Sequence, residues 1–159
     1  MNYIFADYEQ QFLTALTSLA APDGPVKTLK GFAGEMVMTE AGLVLITLNT
    51  FPAVLVEITE AVYLPGGHPF HTQTVSATLH VCSRSLRSQE EARGGEAGAY
   101  PLLHAIRSLL LGRKLAEDLQ PLLLTRERKI AGTITPEMEH IMVYAATYQF
   151  TNPRILEEG

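Results

Sequence analysis

The sequence predicts an α+β fold, with a mainly antiparallel sheet and two principal helices packed on one side of it. Three observations carry that expectation. Apolar residues recur at helical spacing in two segments, around Phe12 and around Ile106. The stretch from His71 to Arg84 alternates with period two. The elements run in the order helix, two or three strands, helix, two strands, which sets strands beside their chain neighbours as hairpins.

Each element has a local reason. Tyr8, Phe12, Ala15, Leu16 and Leu19 share one helix face, with Asp7 placed as N-cap and Gln10 three residues on. Pro22-Asp-Gly-Pro25 stops that helix, because proline cannot extend it and Asp-Gly favours a turn. Val26 to Lys30 has the length of a short strand, and Glu35-Met-Val-Met38 lies in a stretch with no clear period. Leu43 to Leu48 is a continuous apolar run that predicts a strand buried on both faces. Ala53 to Leu64 predicts the next strand, and Pro65-Gly-Gly-His-Pro69 leads into the alternating strand as a hairpin.

In that strand Val75, Ala77, Leu79 and Val81 take one face, while Thr72, Thr74, Ser76, Thr78, His80 and Cys82 take the polar one. Residues 85–98 follow as a charged arm with three glycines and almost nothing apolar to bury. Leu102, Leu103, Ile106, Leu109 and Leu110 then form a second helical face, with Pro101 in the first turn and Gly112 as the C′ residue. Leu122–Thr135 and Met138–Thr151 are the last two strands. The expected organisation is a single domain over 1–151, a flexible arm at 85–98 and a C-terminal tail at 152–159.

Composition narrows the function classes. A chain of 159 residues with 47% apolar residues and a mean hydropathy of +0.10 is a folded protein. A net charge of −5 argues against a sequence-specific nucleic-acid binder, which needs clustered Lys and Arg. The single cysteine leaves no internal disulfide to form. The first residues lack the basic and apolar regions of a signal peptide, and no apolar run reaches the roughly 20 residues of a membrane span. A protein made in the cytoplasm, without membrane contact, is the expectation.

No catalytic constellation emerges. His68, His71 and His80 invite a metal site, but no cysteine or carboxylate cluster accompanies them, and a solvated loop explains the first two better. Cys82 reads as a small half-buried residue, with no base or oxyanion donor beside it. Gly66-Gly67 and Gly94-Gly95 lack the lysine and following helix of a phosphate loop. No catalytic, cofactor or metal residue is therefore assigned. Two positive features remain. Arg126-Glu-Arg-Lys129 puts alternating charge in a strand, as a solvated edge or a polar subunit contact requires. A fourteen-residue arm is also uncommon in a compact domain unless it functions. Arg84, Arg87, Arg93, Arg126 and Arg128 are the candidate interface residues.

A resemblance follows from the order of several short landmarks. These are the N-terminal helix, Phe51-Pro-Ala-Val-Leu-Val56, and Ser83-Arg-Ser-Leu-Arg87. Glu91-Ala92, Gly98-Ala-Tyr-Pro-Leu-Leu103 and Leu110-Leu-Gly112 before Pro121-Leu122 complete the set. Together they resemble the tail-region proteins of Mu-like phages and prophages, a group read as tail-terminator-like. The resemblance implies a structural subunit that forms a ring, usually a hexamer, capping the tail tube and meeting sheath and neck proteins. It implies assembly in the host bacterial cytoplasm, a final place in the virion tail, and no catalytic residues. Another neck or minor tail adaptor shares every one of these features. A small metal-binding protein or enzyme using His68, His71 and His80 is the alternative from a different class.

Overall fold

The computed structural model describes residues 3–34, 36–39, 42–45, 50–65, 70–85, 98–134 and 140–156. Helix α1 (Phe5–Ala15) is followed by strands β1 (Thr28–Gly31), β2 (Met36–Thr39), β3 (Gly42–Leu45), β4 (Ala53–Pro65) and β5 (Phe70–Ser85). Helix α2 (Ala99–Leu110) and strands β6 (Leu123–Ile134) and β7 (His140–Leu156) complete the order. A five-stranded sheet has the order β1-β4-β5-β7-β6, and β2-β3 forms a separate hairpin. All pairs in the large sheet are antiparallel except β1-β4. The expected α+β class and mainly antiparallel sheet are therefore present.

Both helices pack on one face of the sheet, as the periodicity requires. Tyr8, Phe12 and Leu16 join Leu102, Ile106 and Leu110 over Val54, Val56, Val75, Ala77, Leu79, Val81, Tyr148 and Phe150. The four apolar residues expected on one face of β5 are all fully buried there. Each fully buried Val or Leu side chain there contributes roughly 1.5–3 kcal/mol. A helix of 12 residues is marginal alone in water, so tertiary packing holds it. Among the described residues, the opposite face carries a second apolar cluster at one end, where Phe51, Ala53, Leu55, Cys82, Ile141 and Val143 meet Phe32 and Ile130.

Several local expectations need correction. Asp7 is not the N-cap of α1. Ile4 holds that position, and Asp7 lies in the first turn, where its Oδ2 accepts the Ile4 N–H at 2.8 Å. The carboxylate thus satisfies an open backbone donor from three residues further in. Five strands precede α2 rather than two or three, because the Met-rich stretch pairs with Gly42–Leu45 as a hairpin outside the main sheet. The run Leu43–Leu48 is accordingly not a central strand, and residues 46–49 lie outside the described residues.

The chain beyond Thr151 also differs from the expected tail. β7 continues to Leu156, with Ile155 opposite His71 and Leu156 opposite Phe70. A buried polar cluster ties that extension down. The Tyr8 hydroxyl donates to Gln73 Oε1 and accepts from Asn152 Nδ2 at 3.2 Å, while Gln73 Nε2 donates to the Tyr63 hydroxyl at 2.8 Å. Gln73 and Asn152 are 2% and 1% exposed, so each needs these partners. One other local reading agrees with the structure. Gly112, at φ +79°, follows the α2 C-cap Leu111, and its N–H donates to the Leu122 carbonyl at 2.9 Å.

Candidate functional site

The features that set this subunit's surface chemistry are the two edges of its sheet. β6 forms one edge. Its Arg126 and Arg128 are exposed and lie opposite Thr147 and Ala145 of β7, on the face away from the helices. Glu127 points to the helix face, opposite Ala146, and meets Arg107 of α2 at 3.5 Å. With its one carboxylate engaged by α2, the outer stretch of β6 is basic. Leu123, at its start, is 58% exposed.

β4 forms the other edge beyond the reach of β1. β1 pairs with Ala53 to Val56 only, and the Phe32 N–H closes that contact by donating to the Val56 carbonyl at 2.8 Å. From Glu57 to Pro65 no described strand lies outside β4. This stretch holds Glu57 and Glu60 and no cation, and it ends in Val62 and Leu64, 54% and 68% exposed. Glu57 Oε2 lies 3.1 Å from His80 Nε2, with the His80 ring tilted against Phe32.

The five arginines expected at an interface are not brought together. Arg84 sits near the end of β5 with its guanidinium 4.8 Å from the centre of the Phe51 ring, a cation–π contact within the subunit. Arg126 and Arg128 share one face of the β6 edge. Arg87 and Arg93 lie outside the described residues, as do residues 86–97 of the arm. Sequence reading missed Glu57 and Glu60, since their strand was legible but its place at an edge was not.

The remaining chemical candidates are dispersed as well. His71 and His80 are nine residues apart on one strand, about 30 Å at the rise of an extended chain, so they do not share an ion. His68 lies outside the described residues. Cys82 is fully buried rather than half-buried, because the end of the far face around it is closed by apolar side chains. A groove of about 380 Å³ beside α1 is lined by Tyr3, Asp7, Gln10, Gln11, Thr14 and Arg113 among others. Its carboxylate already serves the Ile4 N–H. At its margin the Tyr3 hydroxyl donates to Asp118 Oδ1 at 2.7 Å. That bond pushes the Tyr3 hydroxyl up to about 12 and holds the Asp118 carboxyl below its ordinary value.

No helix among the described residues is long and apolar enough to cross a membrane. No curated protein matches the chain closely enough to extend an assignment. The family comparison is decisive, since the model for Bacteriophage Mu, Gp37 matches residues 9–152, from within α1 to the buried Asn152. The chain therefore belongs to this Mu-like phage family and is a phage structural protein.

Proposed function

We propose that this protein is a tail terminator, a subunit that closes into a ring on the tail tube and joins the tube to the neck. The observation that carries the reading is that, among the described residues, no strand pairs with β6 on its outer side or with β4 beyond Val56, the first stretch being basic and the second acidic. Unlike surfaces on one subunit associate head to tail, and such contacts close into a cyclic oligomer when the rotation per subunit allows it. Membership of a Mu-like phage family supports the placement in a tail. The ring is a homo-oligomer, a hexamer by likeness to terminators. Its partners are tube, sheath and neck proteins rather than a specific nucleic-acid sequence or a membrane, and it assembles in the host bacterial cytoplasm. Its work is done by contact surfaces rather than by catalysis.

Native mass spectrometry of the purified protein, with electron microscopy of mixtures with purified tube protein, tests the proposal. Closed rings seated on one end of the tube are expected. A protein that stays monomeric and never caps tubes overturns it.

A further inference from the structure

We infer that neighbouring copies join edge to edge, β6 of one copy pairing antiparallel with β4 of the next, held by Arg126 and Arg128 against Glu60 and Glu57. The inference rests on the ring reading and specifies its contact. Strand direction gives the first argument. β4-β5, β5-β7 and β7-β6 are each antiparallel, so β6 runs opposite to β4. A second copy placed beside β6 in the same orientation presents its β4 antiparallel to that strand. The sheet continues with its alternation intact and its helices on the same side.

Register gives the second argument. One row crosses the sheet as Glu57–Thr78–Thr147–Arg126, and the next as Leu55–His80–Ala145–Arg128. Both arginines and Glu57 therefore share the face away from the helices, as does Glu60, which pairs with Ser76. Only a stagger by an even number of residues preserves faces. A stagger of two sets Arg128 against Glu57 of the next copy. Passing the bulged Thr59, it then sets Arg126 against Glu60. Beyond the β6 bulge at Thr125, it brings Leu123 against Val62, two apolar side chains that are both more than half exposed in the single subunit. Three pairs match in one register.

The edges also explain why pairing would stop there. β1 covers β4 up to Val56 and Phe32 continues beside it, so backbone pairing of an incoming strand begins beyond Glu57, and Arg128 reaches the Glu57 carboxylate from the end of that pairing. On β6 the register shifts again between Lys129 and Ala131. A bulge bends its strand, and this one falls where the neighbour's β1 begins. Charges and bulges commonly protect edges from indiscriminate sticking. Here opposite charges on two different edges select the heterologous pair and oppose β6–β6 and β4–β4 contacts.

Cysteine cross-linking tests the contact in the full chain. V62C/L123C is expected to give a ladder of disulfide-linked oligomers on non-reducing gels. A mixture of V62C and L123C should stop at the dimer, and V62C alone should stay monomeric. Charge reversal is the second arm: E60R or R126E alone should weaken assembly by about tenfold or more, and E60R/R126E should restore it. Rings that form without a Val62–Leu123 cross-link overturn this contact and leave the terminator reading standing. Cross-linking of V62C to itself overturns the head-to-tail arrangement. Neither rings nor cross-links, with the variants folded by circular dichroism, overturns both.

Discussion

Two buried tyrosines offer the same substitution in opposite settings, and Tyr→Phe should destabilise at one and cost nothing at the other. Tyr8 and Tyr148 are both fully buried on the helix face of the sheet. The Tyr8 hydroxyl donates to Gln73 and accepts from Asn152. Tyr8→Phe leaves two buried polar atoms without that partner, each costing roughly 1–3 kcal/mol. Gln73 keeps its bond to Tyr63, and Asn152 retains a further interaction, so the lower part of the summed range applies. The expected loss is about 2–4 kcal/mol, or a Tm lower by roughly 4–16 °C for a chain of this size. The Tyr148 hydroxyl is buried with no hydrogen-bond partner among the described residues, and burial pushes its pKa up. Tyr148→Phe removes an uncompensated polar atom and should be neutral or stabilise by up to about 1 kcal/mol. Urea unfolding followed by circular dichroism measures both on one scale. Equal changes for the two variants, or a Tyr8→Phe loss below about 0.5 kcal/mol, would refute the assignment of the buried network.

Three further predictions concern the helices and the protein's pH response. Ile106→Ala, at a fully buried position of α2, should destabilise by about 2–5 kcal/mol, whereas Leu111→Ala at an exposed position should stay within about 0.5 kcal/mol, both by urea unfolding. Gly112→Ala forces a Cβ into the left-handed region at φ +79° and should cost about 1 kcal/mol in the same assay. The Tyr3–Asp118 bond predicts stability loss at both ends of the pH scale. Tyr3 has a raised value in the folded state, so its contribution is full below 10.0 and is lost as pH rises through about 12. Asp118 has a lowered one, so its contribution is full above its ordinary 3.8 and is lost as pH falls through the depressed value. Tyr3→Phe should flatten both limbs of a Tm-against-pH curve, and an unchanged curve would count against the bond.

Much of the architecture was legible in local patterns. The period-two face of β5 and the helical faces around Phe12 and Ile106 each name their buried residues, because side-chain periodicity is a property of the local backbone. The Gly112 terminus was legible for the same reason, since few other residues tolerate its φ. The Leu43–Leu48 run was legible as a strand, which the structure describes over Leu43–Leu45, but not as half of a side hairpin, because a short apolar strand reads alike in either place. Asn152 looked like the start of a polar tail, and only its contact with Tyr8, 144 positions away in sequence, turns it into a strand residue.

The candidate contact divides the same way. Local alternation already places Arg126 and Arg128 on one strand face and Glu57 in a strand, just as the order of elements implies the α+β class. Pairing across the fold is what makes β6 an outer strand and leaves β4 without a described strand outside it beyond Val56, where β1 stops. It also decided that a single row runs from Glu57 to Arg126. The physical reason is that alternation fixes which way a side chain points, while edge and register follow from pairing between strands far apart in the chain.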